Sequence, residues 1–182
     1  VSKVETRYPL LYADSWAQEA VRIVGELAPR VAIAGSIRRR RADVGDIDLV
    51  VLEDLGTNPW QHSAIAGAIQ GLGYFMRTDG PKIQSFARPD RPSLDIYYAT
   101  PATWGITMVV RTGSAAHNIK LVKAGERLLP ARKLSVARGI LDTAGNVVAG
   151  YSELTVFAEL GLKYVEPEDR EAPEFQHLVD RE

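Results

Sequence analysis

Asp46 and Asp48 stand two residues apart at the head of the apolar run I-D-L-V-V-L. A strand has a side-chain period of two, so both carboxylates would leave the same face of a sheet. Carboxylates held side by side repel and call for a cation. With oxygen ligands the natural one is Mg²⁺, which takes one or two carboxylates together with substrate phosphates and water. Asp95 lies inside a second apolar run, S-L-D-I-Y-Y, where an acid is poor strand filler. If the two strands are neighbours, three carboxylates converge. That arrangement suits two-metal phosphoryl transfer, in which the ions sit about 3.5–4 Å apart. Taken alone, the D-x-D pair also fits acids on a solvated strand end, and Asp95 also fits a partner of an arginine.

The residues upstream favour the chemical reading. The short apolar run V-A-I-A ends at Gly35-Ser36 and is followed by Arg38, Arg39, Arg40 and Arg41. A strand that turns through Gly-Ser into a helix offers backbone N–H groups and a hydroxyl at a positive helix end, which is a phosphate site. Arg38 and Arg39 could clamp triphosphate oxygens, bidentately where geometry allows. The four arginines also read as a solvated charge run. A phosphate clamp ten residues before a metal cage points to a nucleotide.

The elements that must position these residues follow from periodicity. Residues 15–27 carry apolar side chains at helical spacing, with Asp14 or Ser15 as the expected N-cap. Strands are expected at 31–34, 47–52, 74–77, 82–87 and 94–99, with a helix at 60–72 closed by Gly71 and Gly73. A mixed α/β sheet follows. Beyond Pro101 the spacing predicts helices at 102–110 and 115–126 around a Thr112-Gly113-Ser114 break. A strand at 134–141 and a short one at 147–148 flank the hairpin-like turn 142–146. A capped helix is expected at 152–160, then an acidic tail from Glu166. The fold class is α+β, with a boundary that divides the chain into 1–100 and 101–182.

The 182 residues are 46% hydrophobic and 25% charged, a globular composition that excludes a disordered or fibrous chain. With no cysteine there is no disulfide framework, thiolate nucleophile or Cys-ligated zinc. No apolar run approaches the roughly 18–20 residues of a membrane span, and no signal segment opens the sequence. The expectation is an intracellular, unexported protein with no membrane partner, and nothing requires more than a monomer.

The ordered set G-S-x-R-R, G-D-x-D and L-D-I resembles the family X DNA polymerases, the group of DNA polymerase beta. It comprises Gly35, Ser36, Arg38, Arg39, Gly45, Asp46, Asp48 and Asp95. The likeness continues through Trp104-Gly105 and Arg111-Thr112-Gly113-Ser114 to Asn118, then to F-A-E-L-G-L-K-Y-V-E-P-E-D-R ending at Arg170. The resemblance implies a nucleotidyltransferase palm with a mixed sheet, followed by a small C-terminal subdomain that binds the nascent base pair. Asp46 and Asp48 would hold two Mg²⁺ ions, with Mn²⁺ as a substitute. Asp95 would hold the catalytic one and help deprotonate the primer 3′-hydroxyl. Gly35, Ser36, Arg38, Arg39 and Gly45 would bind the triphosphate, and Arg111, Thr112, Gly113, Ser114 and Asn118 would face the nucleotide. Lys120 and Lys123 would contact DNA, either a primer–template or a gapped duplex; Lys82, placed before Asp95, reads equally as a contact to primer phosphate or as a solvated lysine. His117 reads as a surface residue, and Trp104 and Tyr164 as core.

The sequence departs from the family pattern in three places. Val110-Arg111 stands where relatives commonly carry Tyr-Phe against the sugar, and Ala115 where an acid often contacts the base. The N-terminal helical domain that gives many relatives a lyase activity has only residues 14–27 in its place, so no lyase function is expected.

The formal net charge of −1 argues against a nucleic acid partner only as a total. Residues 152–182 hold nine acids against three bases, while Arg77 to Arg138 holds eleven bases against four acids. DNA would lie along the latter segment, with an affinity that falls steeply with salt.

Overall fold

The computed structural model describes residues 6–54, 56, 58–135 and 137–171. They form a mixed α+β protein with six helices, and the chain divides into two compact units, Val1–Ala99 and Thr100–Glu182. The acids beyond Glu171 that the sequence reading placed in an acidic tail lie outside the described residues. No helix among the described residues is long and apolar enough to cross a membrane.

In the N-terminal unit, β1 (Tyr8–Pro9) leads straight into α1 (Leu10–Gly25), followed by β2 (Val31–Ile33), α2 (Gly35–Arg38), β3 (Asp43–Val44) and β4 (Asp46–Leu52). The unit is completed by α3 (Gln61–Gly71), β5 (Phe75–Asp79), β6 (Ile83–Ala87) and β7 (Ser93–Ala99). Five strands make one sheet in the order β2-β4-β7-β6-β5, and β1 pairs separately with β3. Only the central β4–β7 pair of the five-stranded sheet is parallel. The alternation in D-I-D-L-V-V-L sends Ile47, Leu49 and Val51 into the core with Leu94, Ile96 and Tyr98 of β7. Ala13, Ala17, Ala20 and Val24 of α1 and Ile65, Ala66 and Ile69 of α3 join the same core. The opposite face of the two central strands carries Asp46, Asp48 and Asp95.

The first helix corrects the sequence reading. It begins at Leu10 behind Pro9, five residues before the expected start, and neither Asp14 nor Ser15 caps it. Pro9 is fixed near φ −57° and ends β1, so the chain enters the helix directly from the strand. The two expected caps serve the helix interior instead. Ser15 Oγ donates to the Tyr12 carbonyl at 2.7 Å and Asp14 accepts from Gln18 at 3.2 Å.

The C-terminal unit contains α4 (Trp104–Thr112), α5 (Ala115–Leu128), β8 (Lys133–Ser135), β9 (Gly139–Leu141), β10 (Val147–Ala149) and α6 (Glu153–Glu159). A 3₁₀ turn at Pro167–Asp169 follows. The three strands form an antiparallel sheet in the order β10-β9-β8. The single strand expected over 134–141 is therefore two strands, separated by a turn before Gly139, which takes φ +109°. Ile106, Val109, Leu121, Ile140, Val156, Phe157 and Leu160 make this unit's core. Gly105 is required by close packing, since a Cβ there would fall 2.2 Å from the Ser152 carbonyl carbon.

His117 corrects the sequence reading as well. It is buried, in line with Leu121 and Ala124 on the inner face of α5, with its ring 5.9 Å from that of Phe157. Trp104 is buried, and Tyr164 packs edge-on to Phe157 at 5.4 Å.

Arg170, the last residue of the C-terminal motif, is 1% exposed. Its Nη2 donates to Glu153 at 2.8 Å and its Nε to the Val165 carbonyl at 3.2 Å, tying the chain after α6 back to that helix's first turn. Arg170→Ala removes the buried guanidinium from its ion pair with Glu153 and is expected to destabilise this unit by about 3–5 kcal/mol. The double change Arg170→Met with Glu153→Leu is expected to cost less than Arg170→Ala. Chemical denaturation of the three proteins measures both, and equal losses in the single and double variants would contradict the pairing.

Candidate active site

The parallel register of β4 and β7 places Asp48 directly opposite Asp95, with Asp46 opposite Ser93. Asp46, Asp48 and Asp95 are each half-buried, and each offers a carboxylate oxygen such that all three lie within 4.8 Å of one another. It is the one group of three or more His, Cys, Asp or Glu side chains with metal-ligand spacing among the described residues. The donors are all hard oxygens, which fits Mg²⁺ or Mn²⁺ and lacks the imidazole or thiolate that would select zinc.

The Gly35-Ser36 turn is built against this group. The Ala34 N–H donates to the Asp48 carbonyl at 2.8 Å, so the end of β2 is tied to the metal-ligand strand. Gly35 takes φ +60°, and a Cβ there would lie 1.9 Å from Asp48 Oδ2. Only glycine combines that backbone with that approach. Ser36 Oγ is buried with no hydrogen-bond partner. A buried hydroxyl left in this state is costly unless a water or a ligand completes it. The first amides of α2 lack intrahelical acceptors by construction, and Arg38 and Arg39 follow half-buried on the same turn. Gly45 is half-buried between β3 and β4, immediately before Asp46.

In the C-terminal unit, Arg111 is exposed in the last turn of α4, Thr112 and Gly113 are buried, and the Gly113–Ser114 peptide is cis. Ser114 caps α5, its Oγ accepting from the His117 N–H at 3.3 Å. Asn118 is held by its amide donating to the Val110 carbonyl at 2.8 Å. The break between α4 and α5 is therefore internally braced. Lys120 and Lys123 lie on α5, half-buried and exposed respectively.

Lys82 is not brought to the carboxylates. The β6–β7 register sets Ile83 opposite Tyr97, and Lys82 accepts from the Tyr98 N–H, three residues along β7 from Asp95. Its ammonium lies 3.2 Å from the buried Glu53 carboxylate, which also faces His62 at 3.4 Å. His62 stacks on Tyr98 at 3.6 Å, and burial holds its pKa below the ordinary histidine range.

Sequence reasoning passed over Tyr97. Two residues beyond Asp95 on the same face of β7, its hydroxyl donates to Asp95 Oδ2 at 3.3 Å. The signal was available in the strand's period of two, which makes Tyr97 a face-mate of the acid.

A comparison with protein families matches residues 107–171 to the DNA polymerase beta thumb. The match covers most of the C-terminal unit and supports a family X polymerase-like relationship. A search of curated proteins finds no match to the chain.

Proposed function

We propose that this protein is a DNA polymerase that adds deoxynucleotides to a primer 3′-hydroxyl with release of pyrophosphate, in repair or gap filling. The observation that carries the reading is the convergence of Asp46, Asp48 and Asp95 beside a glycine turn whose serine hydroxyl is buried without a partner. The thumb match over residues 107–171 supports the polymerase class.

Asp46, Asp48 and Asp95 would hold two Mg²⁺ ions, or Mn²⁺ in their place. When bound, such ions favour deprotonation of the attacking hydroxyl and neutralise charge on the triphosphate. The chain's own groups do the rest. Ser36 Oγ and the first amides of α2 donate to triphosphate oxygens, and Arg38 and Arg39 bring positive charge to the same phosphates. Asp95 would help take the proton of the 3′-hydroxyl. The 3′ oxygen bonds to the α-phosphorus as the bond to the pyrophosphate oxygen breaks. The family resemblance assigns Gly113, Ser114 and Asn118 to the nucleotide, and Lys120 and Lys123 would serve DNA phosphates.

A second reading is template-independent nucleotidyl transfer, or transfer to a small-molecule or protein hydroxyl, by the same site. It is favoured by the exposed Ala115 at the first turn of α5, where no carboxylate is available to a base. The discriminating experiment measures incorporation opposite each template base in a one-nucleotide gap and addition to an unpaired strand. The polymerase reading predicts selection of the complementary nucleotide by a factor of about 100 or more, by analogy with site-built discrimination. Equal use of all four nucleotides, or preference for the unpaired strand, would reject it.

A further inference from the structure

We propose that Tyr97 is a positioning residue for Asp95, orienting its carboxylate toward a divalent cation held with Asp46 and Asp48. The inference rests on the metal-dependent reading above and concerns a residue outside the carboxylate set.

Asp95 sits midway along β7 with a short side chain. The terminal torsion of an aspartate is broad and roughly two-fold, so rotamer preference does not fix the plane of its oxygens. A hydrogen-bond donor at one oxygen does. The Tyr97 hydroxyl donates to Oδ2 at 3.3 Å. Its ring is buried, at 9% exposure, and has few torsions to search, so the donor is held by packing. The register places Tyr97 beside Val50 on β4, one face-step from the Asp48–Asp95 pair. The donor therefore approaches Asp95 along its own strand, while Asp48 faces it across the β4–β7 ladder. Donors that hydrogen-bond a metal-ligating carboxylate orient it, and their loss typically lowers metal affinity about 10–100-fold.

Tyr98 supplies an internal control. It is the adjacent residue on the opposite face, and its hydroxyl donates to Gln84 at 2.6 Å in the sheet interior, away from the carboxylates. Tyr97→Phe and Tyr98→Phe each remove one hydroxyl from a buried ring of the same strand.

The experiment measures Mn²⁺ binding to the full chain, without DNA or nucleotide, by the loss of free Mn²⁺ signal in electron paramagnetic resonance. Melting temperature and steady-state incorporation are followed in parallel. Tyr97→Phe is expected to bind Mn²⁺ about tenfold or more weakly than wild type. Its kcat should fall while KM for nucleotide is unchanged, with Tyr98→Phe binding Mn²⁺ as wild type does. Wild-type Mn²⁺ affinity in Tyr97→Phe, or an equal loss in Tyr98→Phe, overturns the positioning role and leaves the polymerase reading standing. Absence of both Mn²⁺ binding and incorporation in the wild-type protein overturns the metal-dependent reading, and the positioning role with it.

Discussion

Asp95→Ala is expected to lower nucleotide incorporation about 10³-fold or more, with no loss of folding stability. Catalysis of phosphoryl transfer is almost entirely positioning and electrostatic stabilisation, so a missing ligand and proton acceptor removes transition-state stabilisation directly. Stability responds in the opposite sense. Three carboxylates with oxygens within 4.8 Å repel when no cation is bound. Removing one relieves that repulsion, and the metal-free variant should melt at or above the wild-type temperature. Added Mg²⁺ should raise the melting temperature of the wild type by more than that of Asp95→Ala, because the variant keeps Asp46 and Asp48 but loses one ligand and the binding free energy it brings to the folded state. Calorimetry with and without Mg²⁺, beside primer extension, reads both effects. Undiminished incorporation by the variant would remove Asp95 from the mechanism.

Gly35→Ala carries the second large effect, and here stability and activity fall together. The backbone at φ +60° is left-handed, a conformation that costs an L-residue about 1–2 kcal/mol. The added methyl would also lie 1.9 Å from Asp48 Oδ2 and 2.8 Å from its Cγ. Asp48 must rotate away or the Gly35-Ser36 turn must lift from β4, breaking the bond between Ala34 and Asp48. Either movement separates the phosphate turn from the carboxylates. A loss of about 1–3 kcal/mol in stability is expected, within the range for strain at a special backbone position. A decrease of about 10²-fold or more in kcat/KM should accompany it, since misplacement by an ångström is enough to cost that much. Gly67→Ala is the matched control. Gly67 lies exposed within α3 with open space at its Cβ, so alanine there should stabilise by about 0.5–1 kcal/mol and leave incorporation unaltered. Wild-type activity in Gly35→Ala would show that the turn and Asp48 act independently.

Much of the site was legible because its local spacings carry the geometry. The period of two in D-I-D-L-V-V-L sets Asp46 and Asp48 on one face and Ile47, Leu49 and Val51 on the other, whatever the sheet order. The approach of Asp95 to Asp48 was legible only as a condition, because it requires parallel pairing of strands separated by α3, β5 and β6. The ion pair of Lys82 with Glu53 was not legible for the same kind of reason, since it depends on the register that sets Lys82 beside Tyr98. Local chemistry misled at two points. Asp14 and Ser15 are good caps by type, but a strand ending in Pro9 started the helix earlier. His117 is polar by type, yet helical spacing from Leu121 and Ala124 puts it inside. The buried, unpartnered state of Ser36 Oγ could not be read at all, since it depends on tertiary packing around the turn.

The most direct measurement of the central claim is extension of a one-nucleotide gap with Mg²⁺ by the wild-type chain and by Asp46→Asn, in a single turnover. Metal-dependent addition of one nucleotide with stoichiometric pyrophosphate is expected of the wild type, lost on chelation and reduced about 10³-fold or more in Asp46→Asn. Extension that survives chelation, or that Asp46→Asn supports at the wild-type rate, would contradict it.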